Sequence, residues 1–137
     1  MKRLVSLILA ISFFSILFYS GCKDTITAEQ IDSVVIPSSN VSYSKYIQPV
    51  LNLKCATAGC HDDITIAGGY SMTTWANTTN PQFVTKGVPE NSQLVQAIDP
   101  KYGGVFKMPP IDSGVLPMTA NQVQGVETWI KEGAKPN

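Results

Sequence analysis

The sequence has few of the residues on which most functional sites depend, with one histidine, three cysteines and one arginine among 137 residues. A structural zinc site takes four cysteine or histidine ligands, and only three such residues follow Cys22. Basic side chains are also few and form no stripe, so the counterion release that drives nucleic-acid binding is missing. The sequence therefore excludes a structural zinc site and a nucleic-acid partner, and it contains no internal repeat or low-complexity block.

The first 22 residues are typical of a bacterial lipoprotein export signal. Two basic residues open the chain, an apolar run follows from 4 to 19, and two small residues precede Cys22. The run is shorter than the roughly 20 residues of a spanning helix, and small residues before a cysteine indicate cleavage. A lipobox normally has leucine three places before the cysteine, where this chain has Tyr19. We predict a signal peptide over 1–21 and a lipid on Cys22, with an uncleaved membrane helix as the alternative.

Either alternative predicts that the remaining chain lies outside the cytoplasm on a membrane tether, on the periplasmic side or at the outer-membrane surface. Residues 22–42 are polar and rich in turn formers, without a helical or strand period. Such a chain predicts a flexible tether that spans about 25 Å. Removal of the signal leaves eight basic and ten acidic side chains, so the exported chain carries a small negative charge.

The segment from Cys55 to His61, CATAGCH, brings both remaining cysteines and the only histidine together. The usual signature for covalent haem attachment is C-x-x-C-H, in which both thiols bind the haem and the histidine ligates the iron. Here the spacer has four small residues instead of two. We predict thioethers at Cys55 and Cys60 with His61 as the proximal iron ligand. The alternative is a Cys55–Cys60 disulfide, which leaves the adjacent histidine unexplained.

With one histidine in the chain, the second axial ligand of a haem iron has to come from another residue type. Methionine raises the reduction potential and suits an electron carrier. Met108 lies in the stiff segment Lys107-Met108-Pro109-Pro110, far enough from His61 in sequence to reach the opposite haem face. We therefore predict Met108 as the distal ligand, with Met118 and Met72 as weaker candidates.

Hydrophobic periodicity predicts short helices and no strands. Apolar residues fall at helical spacing from Tyr43 to Leu51, and Pro49 is tolerated only in a first turn, so the first helix either begins near Gln48 or is kinked there. It delivers Cys55 at its C-terminal end. A second helix is expected over 92–98, capped by Asn91. The last begins with a capping box at Thr119 and Gln122. Its apolar stripe consists of Val123, Val126, Trp129 and Ile130, and Gly133 ends the helix. Together these patterns predict an all-α domain with long loops.

Taken with their order and spacing, these segments resemble a class I cytochrome c domain, in particular the small membrane-associated or planctomycete-type cytochromes of bacteria. The resembling residues cover 43–137 and are Ile47-Gln48-Pro49-Val50-Leu51, Cys55 to His61, Pro89 to Leu94, Met108-Pro109-Pro110 and Trp129 to Ala134.

The resemblance implies a cytochrome c-like fold, in which the N- and C-terminal helices cross through Leu51 and Trp129 around one covalent haem c. It also implies iron ligation by His61 and Met108. The expected function is one-electron transfer between periplasmic or membrane redox proteins, which makes the protein a carrier and not an enzyme.

Two other functions stay open at this point. The sixth iron position could be vacant or easily displaced, giving a ligand sensor or peroxidase-like protein, although no arginine follows Arg3. Alternatively, the chain could be a non-haem lipoprotein that binds another protein and contains a disulfide between Cys55 and Cys60.

Overall fold

The computed structural model of this chain describes residues 26–102 and 107–137. Every regular element in these ranges is helical, which confirms the all-α class for this part of the protein. The α-helices are α1 (Ala28–Ser33), α2 (Gln48–Lys54), α3 (Trp75–Thr78), α4 (Gln93–Ile98) and α5 (Ala120–Lys131). The predicted signal peptide and the lipid site at Cys22 lie outside the described residues.

Between the α-helices the chain forms loops interrupted by single helical turns. A π-helical turn, Tyr43–Ile47, runs directly into α2, and its first residue follows a Ser42 cap that accepts the Lys45 N–H. The 3₁₀ turns are Ala67–Gly69, Pro89–Asn91, Pro100–Tyr102 and Ile111–Ser113. Such a high share of irregular backbone agrees with the predicted long loops.

Helix α2 is short because a proline sits at its start. Pro49 occupies the first turn of α2, where the missing N–H breaks no helical hydrogen bond. The predicted start near Gln48 is confirmed. Val50 and Leu51 are fully buried on the inner side, and the helix ends at Lys54. The helical backbone therefore ends directly before Cys55.

Helix α5 forms the centre of the core. The capping box at Thr119 and Gln122 is present in both directions, and the helix ends before Gly133, whose φ of +98° suits glycine alone. Trp129 is 1 % exposed, and its ring lies 5.0 Å from that of Tyr43 in the π-helical turn. The ring contact to Trp129 thus comes from Tyr43, while Leu51 is buried in the same core cluster.

Residues 26–42 do not form the predicted tether. Ile31, Ile36 and Val41 are each at most 3 % exposed and belong to the core. The Asn121 side chain on α5 pairs with both backbone groups of Ile36, accepting its N–H at 2.7 Å and donating to its carbonyl at 3.0 Å. Because these apolar residues are spaced five apart, they match neither a helical nor a strand period. The sequence pattern therefore did not predict their burial.

The start of α4 also differs from its prediction. Its cap residue is Ser92 and not Asn91, which instead ends the preceding 3₁₀ turn. The Ser92 hydroxyl is buried and accepts the Thr85 N–H at 2.9 Å, so it stabilises the loop before the helix. The serine side chain is therefore used in the loop before α4 and not at the start of the helix itself.

We expect Thr119→Ala to destabilise the protein by about 1 kcal/mol, because it removes the hydroxyl that accepts the Gln122 N–H at the start of α5. Urea denaturation followed by circular dichroism measures the change. Thr119→Ser keeps the hydroxyl and should stay within about 0.5 kcal/mol of the wild type. Equal losses for both variants would show that the cap hydrogen bond contributes nothing.

Candidate functional site

The candidate site begins where α2 ends. Cys55 is the residue after the helix, and its N–H still donates to the Leu51 carbonyl at 2.8 Å. Its side chain is 7 % exposed and belongs to the core. The end of α2 therefore fixes the first of the two cysteines against the apolar interior.

The four-residue spacer folds back so that the motif closes on itself. Gly59 adopts a φ of +85°, and the Cys60 N–H donates to the Thr57 carbonyl at 3.0 Å. The His61 N–H then donates to the Cys55 carbonyl at 3.0 Å. The structure thus brings the three predicted attachment residues together, and both cysteines are free thiols.

The two thiols lie in different surroundings. Burial raises the pKa of the Cys55 thiol to about 12, the nearby Cys60 adds to the rise, and the Lys54 charge opposes it. Cys55 is therefore a neutral thiol at pH 7, while Cys60 is partly exposed.

The imidazole of His61 is held by a backbone carbonyl. Its Nδ1 lies 2.8 Å from the carbonyl oxygen of Tyr70. A carbonyl only accepts, so Nδ1 carries the hydrogen and Nε2 keeps its lone pair free. This arrangement is the usual support for a histidine that ligates a metal through its other nitrogen.

Tyr70 itself is rigidly placed. Its ring stacks on Phe83 at 3.9 Å between centroids, and its hydroxyl donates to the Thr78 carbonyl at 2.7 Å. The side chain is 5 % exposed, and burial raises the pKa of its phenol above the usual range. The orientation of His61 therefore depends on packed residues that follow the motif by nine or more positions.

The Asp62 carboxylate accepts hydrogen bonds from backbone groups on both sides of His61. Its Oδ2 accepts the Gly59 N–H at 2.8 Å, and its Oδ1 accepts the N–H groups of Ile64 and Thr65 at 2.7 and 2.8 Å. These backbone donors hold the pKa of the carboxyl well below its usual range. Asp62 is therefore a carboxylate at physiological pH and keeps all three hydrogen bonds.

The three methionines lie in different positions. Met72 is 5 % exposed within the core, and its N–H donates to the His61 carbonyl at 2.9 Å. Met108 is partly buried and is tied to α4 through its N–H, which donates to the Ala97 carbonyl at 2.9 Å. Met118 is also partly buried. Neither Met108 nor Met118 has a described contact with the histidine ring, so the assignment of the distal ligand stays a prediction.

A buried ion pair connects the motif to the loop that carries Met118. Lys54, the residue before Cys55, pairs with Asp32 of α1 at 2.9 Å and donates to the Pro117 carbonyl at 2.8 Å. Its side chain is 2 % exposed, and its hydrogen bond holds the pKa of the Asp32 carboxyl below its usual value. The N-terminal segment, the end of α2 and this loop are therefore linked by one ammonium group.

The motif residues have the chemistry to hold a covalent haem: two thiols and one imidazole nitrogen. No group of three or more histidine, cysteine, aspartate or glutamate side chains in the described ranges is arranged to hold a metal. A haem supplies four ligands itself and needs only an axial nitrogen from the protein. The free Nε2 of His61 next to two closely spaced thiols meets that need.

Comparisons with protein-family models, with curated proteins and with solved structures give no match. Among the helices in the described ranges, none is long and apolar enough to cross a membrane.

Sequence reasoning missed three contributors to this site: the Tyr70 carbonyl, Asp62 and Lys54. Only Asp62 carries a local signal, because an aspartate that follows a turn commonly accepts backbone N–H groups two or three residues ahead. A carbonyl carries no side-chain signature, and the Lys54 pair joins residues that are distant in sequence.

Proposed function

We propose that this protein is an exported monohaem c-type cytochrome that transfers single electrons between periplasmic or membrane redox proteins. The observation that carries the proposal is the closed Cys55–His61 segment, in which the imidazole donates through Nδ1 and leaves Nε2 free. A disulfide or a protein-binding module would need neither the adjacent histidine nor its orientation.

In this proposal Cys55 and Cys60 would hold the haem through thioethers, each formed by adding the sulfur to one vinyl carbon and the hydrogen to the neighbouring carbon. His61 would hold the iron through Nε2, and the Tyr70 carbonyl keeps the ring from rotating. The haem would supply a one-electron redox couple, and rigid ligands would keep reorganisation small during electron transfer.

Export and attachment to a membrane through Cys22 belong to the same proposal. They are supported by the basic start, the apolar run and the small residues before Cys22. The donor and the acceptor are expected to bind through small, weak interfaces, as transient redox partners do.

The proposal is tested by the mass and spectrum of protein matured in a host that attaches haem. Thiol addition releases no atoms, so the mass should rise by one whole haem, together with any acyl chains on Cys22. Colourless protein of unmodified mass at residues 55–61 would overturn the proposal.

Met108→Ala should abolish the weak long-wavelength absorption band of methionine-ligated ferric haem and lower the reduction potential, because an axial thioether raises it. Optical spectroscopy and redox titration measure both. Met118→Ala is the matched control and should keep the band, since Met118 lies in the neighbouring loop. Wild-type protein that lacks the band and binds carbon monoxide readily when reduced would instead indicate an open sixth position.

A further inference from the structure

The spacer between Cys55 and Cys60 is two residues longer than in the usual attachment signature, so the second sulfur has to be brought back by folding. The positive φ of Gly59 makes the reversal, and the Cys60 N–H closes it on the Thr57 carbonyl. That closure uses the N–H of Cys60 but leaves the N–H of Gly59 to be satisfied by another group.

The group that satisfies it is the carboxylate of Asp62. One oxygen accepts the Gly59 N–H at 2.8 Å, while the other accepts the N–H groups of Ile64 and Thr65. The same side chain thus holds the chain before Cys60 and the chain after His61. All three donors are backbone groups, so both oxygens have to act as acceptors for the loop to keep this shape.

We propose that Asp62 is a positioning residue for haem attachment, which holds Gly59 and thereby places the Cys60 sulfur for the second thioether. The inference rests on the proposed function, because it assumes attachment at Cys55 and Cys60. Asp62 acts through the backbone of Gly59 and touches no reacting atom. The predicted result of its loss is chains attached through Cys55 alone.

The neighbouring Asp63 provides a matched control. It has the same charge, and its Oδ1 accepts the hydroxyls of Ser71 and Thr73 at 2.7 and 2.6 Å. It forms no described hydrogen bond to residues 55–61. Asp63→Asn therefore removes the same charge one residue away while leaving the Gly59 contact in place.

Asp62→Asn tests the hydrogen bond to Gly59 separately from the hydrogen bonds to Ile64 and Thr65. An asparagine has one acceptor oxygen, which can keep the Ile64 and Thr65 N–H groups, while its NH₂ group would face the Gly59 donor. Asp62→Ala removes all three hydrogen bonds. The pair of variants distinguishes a general loosening of the loop from specific loss of the Gly59 hydrogen bond.

The first measurement is amide hydrogen exchange on the full chain in detergent. Loss of one charge-assisted hydrogen bond should lower the protection of the Gly59 amide about tenfold in Asp62→Asn, with Ile64 and Thr65 little changed. Asp62→Ala should lower all three, and Asp63→Asn none. Unchanged Gly59 exchange in Asp62→Asn would overturn the inference, whatever the haem content.

The second measurement counts thioethers in matured protein. Trypsin releases residues 55–86 between Lys54 and Lys86, and this peptide contains only the two motif cysteines. After denaturation and iodoacetamide treatment, wild type and Asp63→Asn should carry haem with no alkylated thiol. We expect Asp62→Asn to give haem-bearing peptide with Cys60 alkylated, at several times the wild-type level.

Complete attachment in Asp62→Asn would overturn the positioning role, even if Gly59 exchange had changed. The same attachment defect in Asp63→Asn would overturn it too, because charge alone would then explain the result. Wild-type protein without haem would instead overturn the proposed function and the inference with it.

Discussion

Replacing Cys55 and Cys60 together by alanine should abolish covalent haem in matured protein, so that no haem signal remains on a denaturing gel. The reason is that the two thiols are the only described groups that can form thioethers, and His61 alone binds haem reversibly. The measurements are haem-dependent peroxidase staining of the denaturing gel and the mass of the purified chain.

Each single variant refines this result. With Cys60→Ala or Cys55→Ala, one sulfur remains, and we expect haem that survives denaturation in reduced yield. Cys22→Ser is the matched control, because it removes the third cysteine of the chain. It should keep the haem and lose only the predicted lipid. Haem staining that persists in the double variant would contradict attachment through these sulfurs.

Ile36→Ala should destabilise the protein by about 3 kcal/mol, because it leaves a cavity beside α5 at a residue that is 3 % exposed. A tether would tolerate the same change without loss. Val35→Ala is the control, since Val35 is 79 % exposed and should change stability by less than about 0.5 kcal/mol. Urea denaturation measures both variants.

A double-mutant cycle with Gly125 tests the same contact from the other side. A Cβ added at Gly125 would lie 2.7 Å from Cγ2 and 2.8 Å from Cδ1 of Ile36. Gly125→Ala should therefore destabilise the wild type by about 1–2 kcal/mol. In the Ile36→Ala background the two closest atoms are removed and only the Cβ of residue 36 stays near, at 3.2 Å. The same change should therefore cost at least about 1 kcal/mol less than in the wild type. An equal cost in both backgrounds would contradict the packing of residue 36 on α5.

Local signals in the sequence predicted local structure well. The capping box of α5 joins residues three positions apart, and Pro49 restricts the chain within one turn, so both follow from short-range sterics and hydrogen bonding. The close approach of Cys55, Cys60 and His61 is likewise a short-range feature, because all three lie within residues 55–61. Asn91 failed as a cap because it is the last residue of the 3₁₀ turn Pro89–Asn91, so that α4 begins one residue later than predicted.

The N-terminal segment was mispredicted for a physical reason. Ile31 and Val41 stand among polar residues and Ile36 ends the short run Val34-Val35-Ile36, so no helical or strand period runs through the segment to indicate which side chains are buried. The partner surface is α5 and its C-cap, where the Asn121, Gln122 and Glu132 side chains bind the backbone or side chains of residues 31–41. These contacts join positions about 90 residues apart.

The sequence by itself determined the helical class, the ends of α5, the C-terminal end of α2, and the close spacing of two thiols and one histidine from which haem attachment is predicted. These follow from residues within a few positions of each other, whose geometry the local backbone dictates. Tertiary structure alone decided that the N-terminal segment joins the core. It also decided that the Tyr70 carbonyl orients His61, because any backbone carbonyl can accept a hydrogen bond and only folding selects which one lies within reach.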